Sequence, residues 1–124
     1  TLNALQNSPF LINKESLPHL TGLLIKNWDK KALGLSQTQK EKLLIIRKET
    51  INSIQQIKTK LETLEAEVIE ALVDKEPTES VEKKIKEIAE LKANATRSHI
   101  RCISKTLEVL NEEQLTYLLP FWGM

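Results

Sequence analysis

Glycine and proline are scarce, three and four among 124 residues, and their placement is uneven. Neither occurs from Leu35 to Glu76, nor from Thr78 to Leu119, so Pro77 alone divides two runs of 42 residues. A β-sandwich or barrel needs turn residues every ~8–12 positions, and this spacing denies it them. No Gly-rich loop is present to cradle a phosphate, which excludes P-loop and dinucleotide-binding designs. One cysteine, Cys102, cannot form an internal disulfide. That fits a reducing compartment, or an export compartment in which disulfides are not used. No apolar run approaches the ~18 residues of a membrane span. The chain opens on Thr1 without a cleavable apolar core, as a processed or trimmed product would. Charge of one sign is also lacking: 18 Lys and Arg face 17 Asp and Glu, so net charge names no partner.

Long helices remain. The length suits one domain, and charged residues at 28% with plentiful aliphatics are not a disordered composition. Residues 1–16 are the least regular, 17–119 read as one helical domain, and 120–124 form a tail. Ser8-Pro9 and Ser16-Leu17-Pro18 have the form of helix starts. Leu20, Leu23, Leu24 and Trp28 keep helical spacing, predicting a short helix over about 17–31 that Gly34 stops. In Leu35-Ser36-Gln37-Thr38-Gln39, Ser at the N-cap with Gln three positions on is a capping box. It opens a second helix expected to reach Val73, a rod of ~57 Å. Its stripe is Ile54, Ile57, Leu61, Leu64, Val68 and Leu72, near the seam period of packed helices.

Asp74-Lys75-Glu76-Pro77 is the expected turn, with Thr78 as N-cap of a third helix over about 79–108. That helix carries two stripes: Val81, Ile85, Ile88, Ala95, His99, Cys102, Thr106 and Val109, and beside it Thr96, Ile100, Ile103, Leu107 and Leu110. Leu110-Asn111-Glu112-Glu113-Gln114 repeats the capping device, opening a short last helix that Pro120 ends. So short a turn makes the two long helices antiparallel, with facing positions totalling about 151. Residues 36–60 carry +4 and 92–108 carry +3, whereas 61–91 carry −6: the hairpin is basic at its open end and acidic at its tip. A two-helix hairpin encloses no core alone. The second stripe and Leu43, Leu44, Ile45 and Ile46 require an added layer, supplied either by the short helices folding back or by a second subunit; a homodimer is the expectation.

The paired motifs Leu35-Ser36-x-x-Gln39 and Leu110-Asn111-x-x-Gln114, one opening a long hairpin and one closing it, resemble the LTxxQ motif of the Spy/CpxP family of bacterial periplasmic stress proteins. Ser36 and Asn111 stand where that motif has Thr, and both are sound N-caps. The resemblance covers about 17–119. It implies an all-α, cradle-like homodimer in the periplasm, built on a long antiparallel helical hairpin with short flanking helices. It further implies a non-enzymatic, ATP-independent chaperone that holds unfolded or envelope proteins on a basic and apolar concave face, or a regulatory partner of a membrane sensor kinase. On that reading Arg47, Lys48, Lys58, Arg97 and Arg101 attract clients over distance. Exposed members of Leu43, Leu44, Ile45, Ile46, Ile51 and Ile103 supply apolar contact.

Related periplasmic proteins sense or buffer zinc, nickel and other heavy metals. The resemblance would place a metal ligand at His99, and Cys102 three residues on could bind the same ion from one helix face. The family's His pair on the first helix is matched only by His19, its following Met is replaced by Ile103, and no His-rich tail is present. Elsewhere the chain has no Cys-x-x-Cys, HExxH or nucleophile elbow. Glu62 and Glu65 suit a solvated helix face. The basic half lacks stacking aromatics, against nucleic-acid binding.

Overall fold

In the computed structural model, residues 9–12 and 20–121 are described. Every regular element among them is helical: α1 (Leu20–Lys26), α2 (Gln37–Val73), α3 (Thr78–Val109) and α4 (Glu112–Leu118), followed by a 3-10 turn over Leu119–Phe121. The two long helices pack against each other, and the short ones flank them. The chain divides into two compact units, Asn52–Ser98 with the described residues 9–11, and Ile12–Ile51 with His99–Met124. Both long helices contribute to both units. No described helix is long and apolar enough to cross a membrane.

Helix ends follow the residues expected to make them, with two shifts. Helix α1 stops at Lys26 rather than near residue 31. The Asn27 amide N–H is shared between the Leu23 and Leu24 carbonyls, and its side-chain Nδ2 also donates to the Leu23 carbonyl at 2.8 Å. The bond to Leu24, and that of the Trp28 N–H to the Ile25 carbonyl at 3.4 Å, are i→i−3 bonds that tighten the last turn and end the α-helix. Gly34, at φ 64, then closes the next turn by donating to the Lys30 carbonyl. Pro120 ends α4 from inside the 3-10 turn, with Leu119 still donating to the Leu115 carbonyl. At the end of α2, Glu76 N–H reaches the Ala71 carbonyl and Lys75 N–H the Leu72 carbonyl. With Lys75 at φ 55, this is a Schellman closure that carries lysine where glycine is usual. Thr78 is already the first residue of α3, so it does not serve as the N-cap.

In the unit containing Asn52–Ser98, Leu61, Ala71, Ala95 and Thr96 are buried. Ser53 and Ser98 hydroxyls meet at 3.2 Å, and Lys84 Nζ meets Glu67 Oε2 at 3.2 Å. Positions 53 with 98, and 67 with 84, share the total of 151, so the helices run antiparallel in the expected register. The stripe of α2 turns at its end, however: Ala71 is 1% exposed and Leu72 62%. From Leu61 the buried side keeps the 3, 4, 3 spacing through Leu64 and Val68 to Ala71, and Leu72 falls beside it. Leu11, in a bend, donates its N–H to Thr96 Oγ1 at 2.8 Å, which ties that residue to α3.

The other unit holds the main apolar core. Leu20, Leu24, Leu33, Leu43, Leu110 and Leu118 are buried together, with Leu23, Trp28, Leu35, Ile103, Leu107, Val109, Leu115 and Tyr117 packed against them. Each fully buried leucine contributes about 1.5–3 kcal/mol. Here the layer required by the second stripe of α3 is intramolecular. Ile103, Leu107 and Leu110 are covered within the unit, while Ile100 of that stripe and Ile85 of its neighbour stand about half exposed.

Candidate functional site

The two capping boxes both form. Ser36 Oγ accepts the Gln39 amide N–H at 3.1 Å, and Gln39 Oε1 accepts the Ser36 N–H at 2.9 Å. Asn111 Oδ1 accepts the Gln114 N–H at 2.8 Å, and Gln114 Oε1 accepts the Asn111 N–H at 3.0 Å. The glutamines then join one another. Gln39 Nε2 donates to Gln114 Oε1 at 2.7 Å, and Gln114 Nε2 donates to Gln39 Oε1 at 3.0 Å. Each Nε2 has a second acceptor, the Val109 carbonyl for Gln39 and the Gly34 carbonyl for Gln114. Both amides therefore use two donors and two acceptors. The backbone partners also settle which way each amide points, since a flipped group would set N–H against N–H. Of the apolar residues of the motifs, Leu110 is buried in the core and Leu35 packs against it.

A second polar link holds the turn after α1. Tyr117 Oη donates to Asn27 Oδ1 at 3.3 Å, so the buried Asn27 has both ends of its amide satisfied. Trp28 follows directly. Its ring has Lys40 Nζ 5.9 Å from its centroid, and the same Nζ meets Asp29 Oδ1 at 3.0 Å.

Beside Trp28 lies a cleft of about 320 Å³ walled by Leu24, Ile25, Leu43, Leu44 and Ile46, with Cys102 and Thr106 also lining it and Asp29 and Arg47 as its charged residues. The Thr106 hydroxyl donates to the Cys102 carbonyl at 2.7 Å, so this lining residue presents no unmet donor. Cys102 itself is buried and reduced.

The residues expected to bind clients separate on burial. Leu43 is 6% exposed, and Ile103 packs against the core; both leave the exposed set. Ile46 is half-buried. Leu44, Ile45 and Ile51 are 54%, 58% and 50% exposed. Leu44, Lys48 and Ile51 follow at intervals of four and three on one face of α2, with Arg47 beside them. Arg47, Lys48 and Arg101 are exposed and make no ion pair among the described residues. In the other unit Lys58 is likewise exposed, but Arg97 is held by Glu90 Oε1 at 3.3 Å and Asn94 Oδ1 at 2.7 Å, so its charge is partly answered. Glu62 is exposed and Glu65 half-buried.

His99 and Cys102 line one small pocket of about 140 Å³ with Leu20, Ile103 and Thr106. No three His, Cys, Asp or Glu side chains converge as a metal set among the described residues. His19 lies outside those residues. No family model, curated protein or solved structure matches the chain.

Sequence reasoning put Trp28 in the core stripe and missed its place as a cleft wall. It also missed Ile25, which is half exposed beside the cleft, and the Asn27–Tyr117 link. Polar Asn27 inside an apolar-periodic run was the available signal, since such a residue ends a helix more often than it continues one.

Proposed function

We propose that this chain is a non-enzymatic helical chaperone or stress-accessory protein of the bacterial periplasm, of the Spy/CpxP kind, binding unfolded proteins on the mixed face of α2. The observation that carries this is the exposed sequence Leu44, Arg47, Lys48 and Ile51, with Ile45 beside it. Half-exposed aliphatics interleaved with uncompensated cations suit an unfolded chain, which offers apolar side chains among acidic ones. The glutamine pair supports the same reading, because it joins the two motifs on which the resemblance rests. The partners are unfolded envelope clients, a second copy of the chain, and a membrane sensor kinase as a regulatory target.

The test is light scattering of an aggregating client at rising ratios of this protein. Suppression at a few-fold excess, lost in a Leu44→Glu/Ile51→Glu variant that keeps its helicity, supports the reading; no suppression at large excess overturns it. Both positions are half exposed, so the variant should change stability by less than about 0.5 kcal/mol per site. Sedimentation tests the homodimer against a 14.2 kDa monomer.

One observation favours a second reading, a heavy-metal buffer or sensor: His99 and Cys102 line the same pocket. Imidazole nitrogen and thiolate are a donor pair suited to zinc, and a dimer mate would have to complete the coordination. Calorimetric titration with Zn²⁺, repeated on His99→Ala and Cys102→Ala, separates the readings. Binding weaker than millimolar in the unmodified protein removes the metal reading.

A further inference from the structure

We propose that the cleft beside Trp28 is a binding site for a medium-chain aliphatic carboxylate, with the tail in the cleft and the head on Arg47. This goes beyond client binding, and its test needs no client.

Three features lead to that chemistry. The first is the lining. Leu24, Leu43, Ile46 and the Trp28 ring are apolar walls, and the Thr106 hydroxyl is already bonded to the Cys102 carbonyl. Thr21, the other hydroxyl of the lining, is exposed and keeps its water at the mouth, so a hydrocarbon tail displaces water from the cleft without stranding a polar group. At the rim, Ile25 and Leu44 are each about half exposed and would gain cover from a bound tail.

The second is charge. Only two ionic side chains belong to the lining, Asp29 and Arg47. Asp29 is answered by Lys40 at 3.0 Å. Arg47 has no ion-pair partner among the described residues. The cleft therefore presents one open cation, and a guanidinium takes a carboxylate through two parallel N–H bonds. A cationic amphiphile would meet Arg47 as a like charge, and a neutral one would leave it unmatched.

The third is size. A volume of about 320 Å³ lies at the small end of ligand sites. It suits a single flexible chain and is too small for a helix, which is ~10 Å across with its side chains.

Trp28 in the cleft wall supplies the readout. The experiment uses the full chain with Trp122→Phe, which leaves Trp28 as the only tryptophan. Its emission is titrated with decanoate, decanol, decyltrimethylammonium and butyrate, each below its aggregation concentration. The expected result is a saturable change with decanoate, at least about tenfold tighter than with decanol or decyltrimethylammonium, and none with butyrate. Arg47→Gln should weaken decanoate about tenfold and leave decanol unchanged. Thr21→Phe, which fills the mouth from an exposed lining position, should abolish both, with unchanged far-ultraviolet circular dichroism. No saturable response to decanoate, equal affinity for decanoate and decyltrimethylammonium, or an Arg47→Gln variant that binds decanoate as well as the parent each overturns the proposal. These outcomes leave the aggregation assay untouched, so failure here is distinguishable from failure of the chaperone reading.

Discussion

Gln39 and Gln114, 75 positions apart, hydrogen-bond each other in both directions at 2.7 and 3.0 Å. Each is also the N3 residue of its own helix start, so a local cap and a long-range link use the same amide. A glutamate at either position would keep the cap acceptor but lose both Nε2–H donors, and would face the partner's oxygen. Gln114→Glu, at the buried position, should cost about 1–3 kcal/mol, the range for leaving a buried polar group unmatched, and Gln39→Glu, at the half-buried one, the lower part of that range. A double-mutant cycle with alanine at both sites, followed by urea unfolding, should give a coupling of about 1–3 kcal/mol. Additive losses would show that the amides act only as separate caps.

The left-handed positions should respond in opposite directions. Gly34 sits at φ 64, and a Cβ there meets the Lys31 carbonyl at 3.4 Å, an ordinary contact. Gly34→Ala should therefore cost about 1 kcal/mol through backbone conformation and not through a clash. Lys75, at φ 55, occupies the site of a helix closure where glycine is preferred. Lys75→Gly should raise the midpoint of thermal unfolding, by up to about 1 kcal/mol in stability.

The helix seam should resist filling. Ala95 is 0% exposed, so a larger side chain there must be accommodated inside the packed seam. Ala95→Leu should destabilise by about 1–3 kcal/mol through overpacking. Leu118, equally buried, tests the other unit in the opposite sense: Leu118→Ala should cost about 2–5 kcal/mol. Denaturant melts with an unchanged slope would confirm that both act on stability alone.

What the sequence made legible was local. Ser36 with Gln39 and Asn111 with Gln114 set two helix starts, because a cap and its reciprocal partner lie three residues apart. The spacing around Lys75–Glu76 set the antiparallel register, which Ser53 with Ser98 and Glu67 with Lys84 then keep. Burial near a helix end was harder to read: Leu72 looked like the next seam residue, yet the smaller Ala71 takes that place. The pairing of the glutamines was not legible, since nothing in either pentapeptide tells which distant group its spare amide protons meet. Nor was the Trp28 cleft, which α1 and α2 line together with Cys102 and Thr106 of α3, because a stripe of apolar residues does not tell which of them folding leaves uncovered. The exposed cations were visible as charges, but Arg97 and Arg101 differ only in the neighbours that folding gives them.

The glutamine pair also orders events in time. It closes a loop of 75 residues, and closure of that kind is opposed by chain entropy until the intervening segment is already structured. The helices and their turn are local and can form first; the pair belongs to the last step of assembly. Replacing Gln114 with Ala should then leave the refolding rate nearly unchanged. It should speed unfolding about thirtyfold for a loss of about 2 kcal/mol, visible in stopped-flow as a shift of the unfolding limb alone. A link made late in folding acts as a latch: it governs how long the fold lasts once formed, not how quickly it is reached.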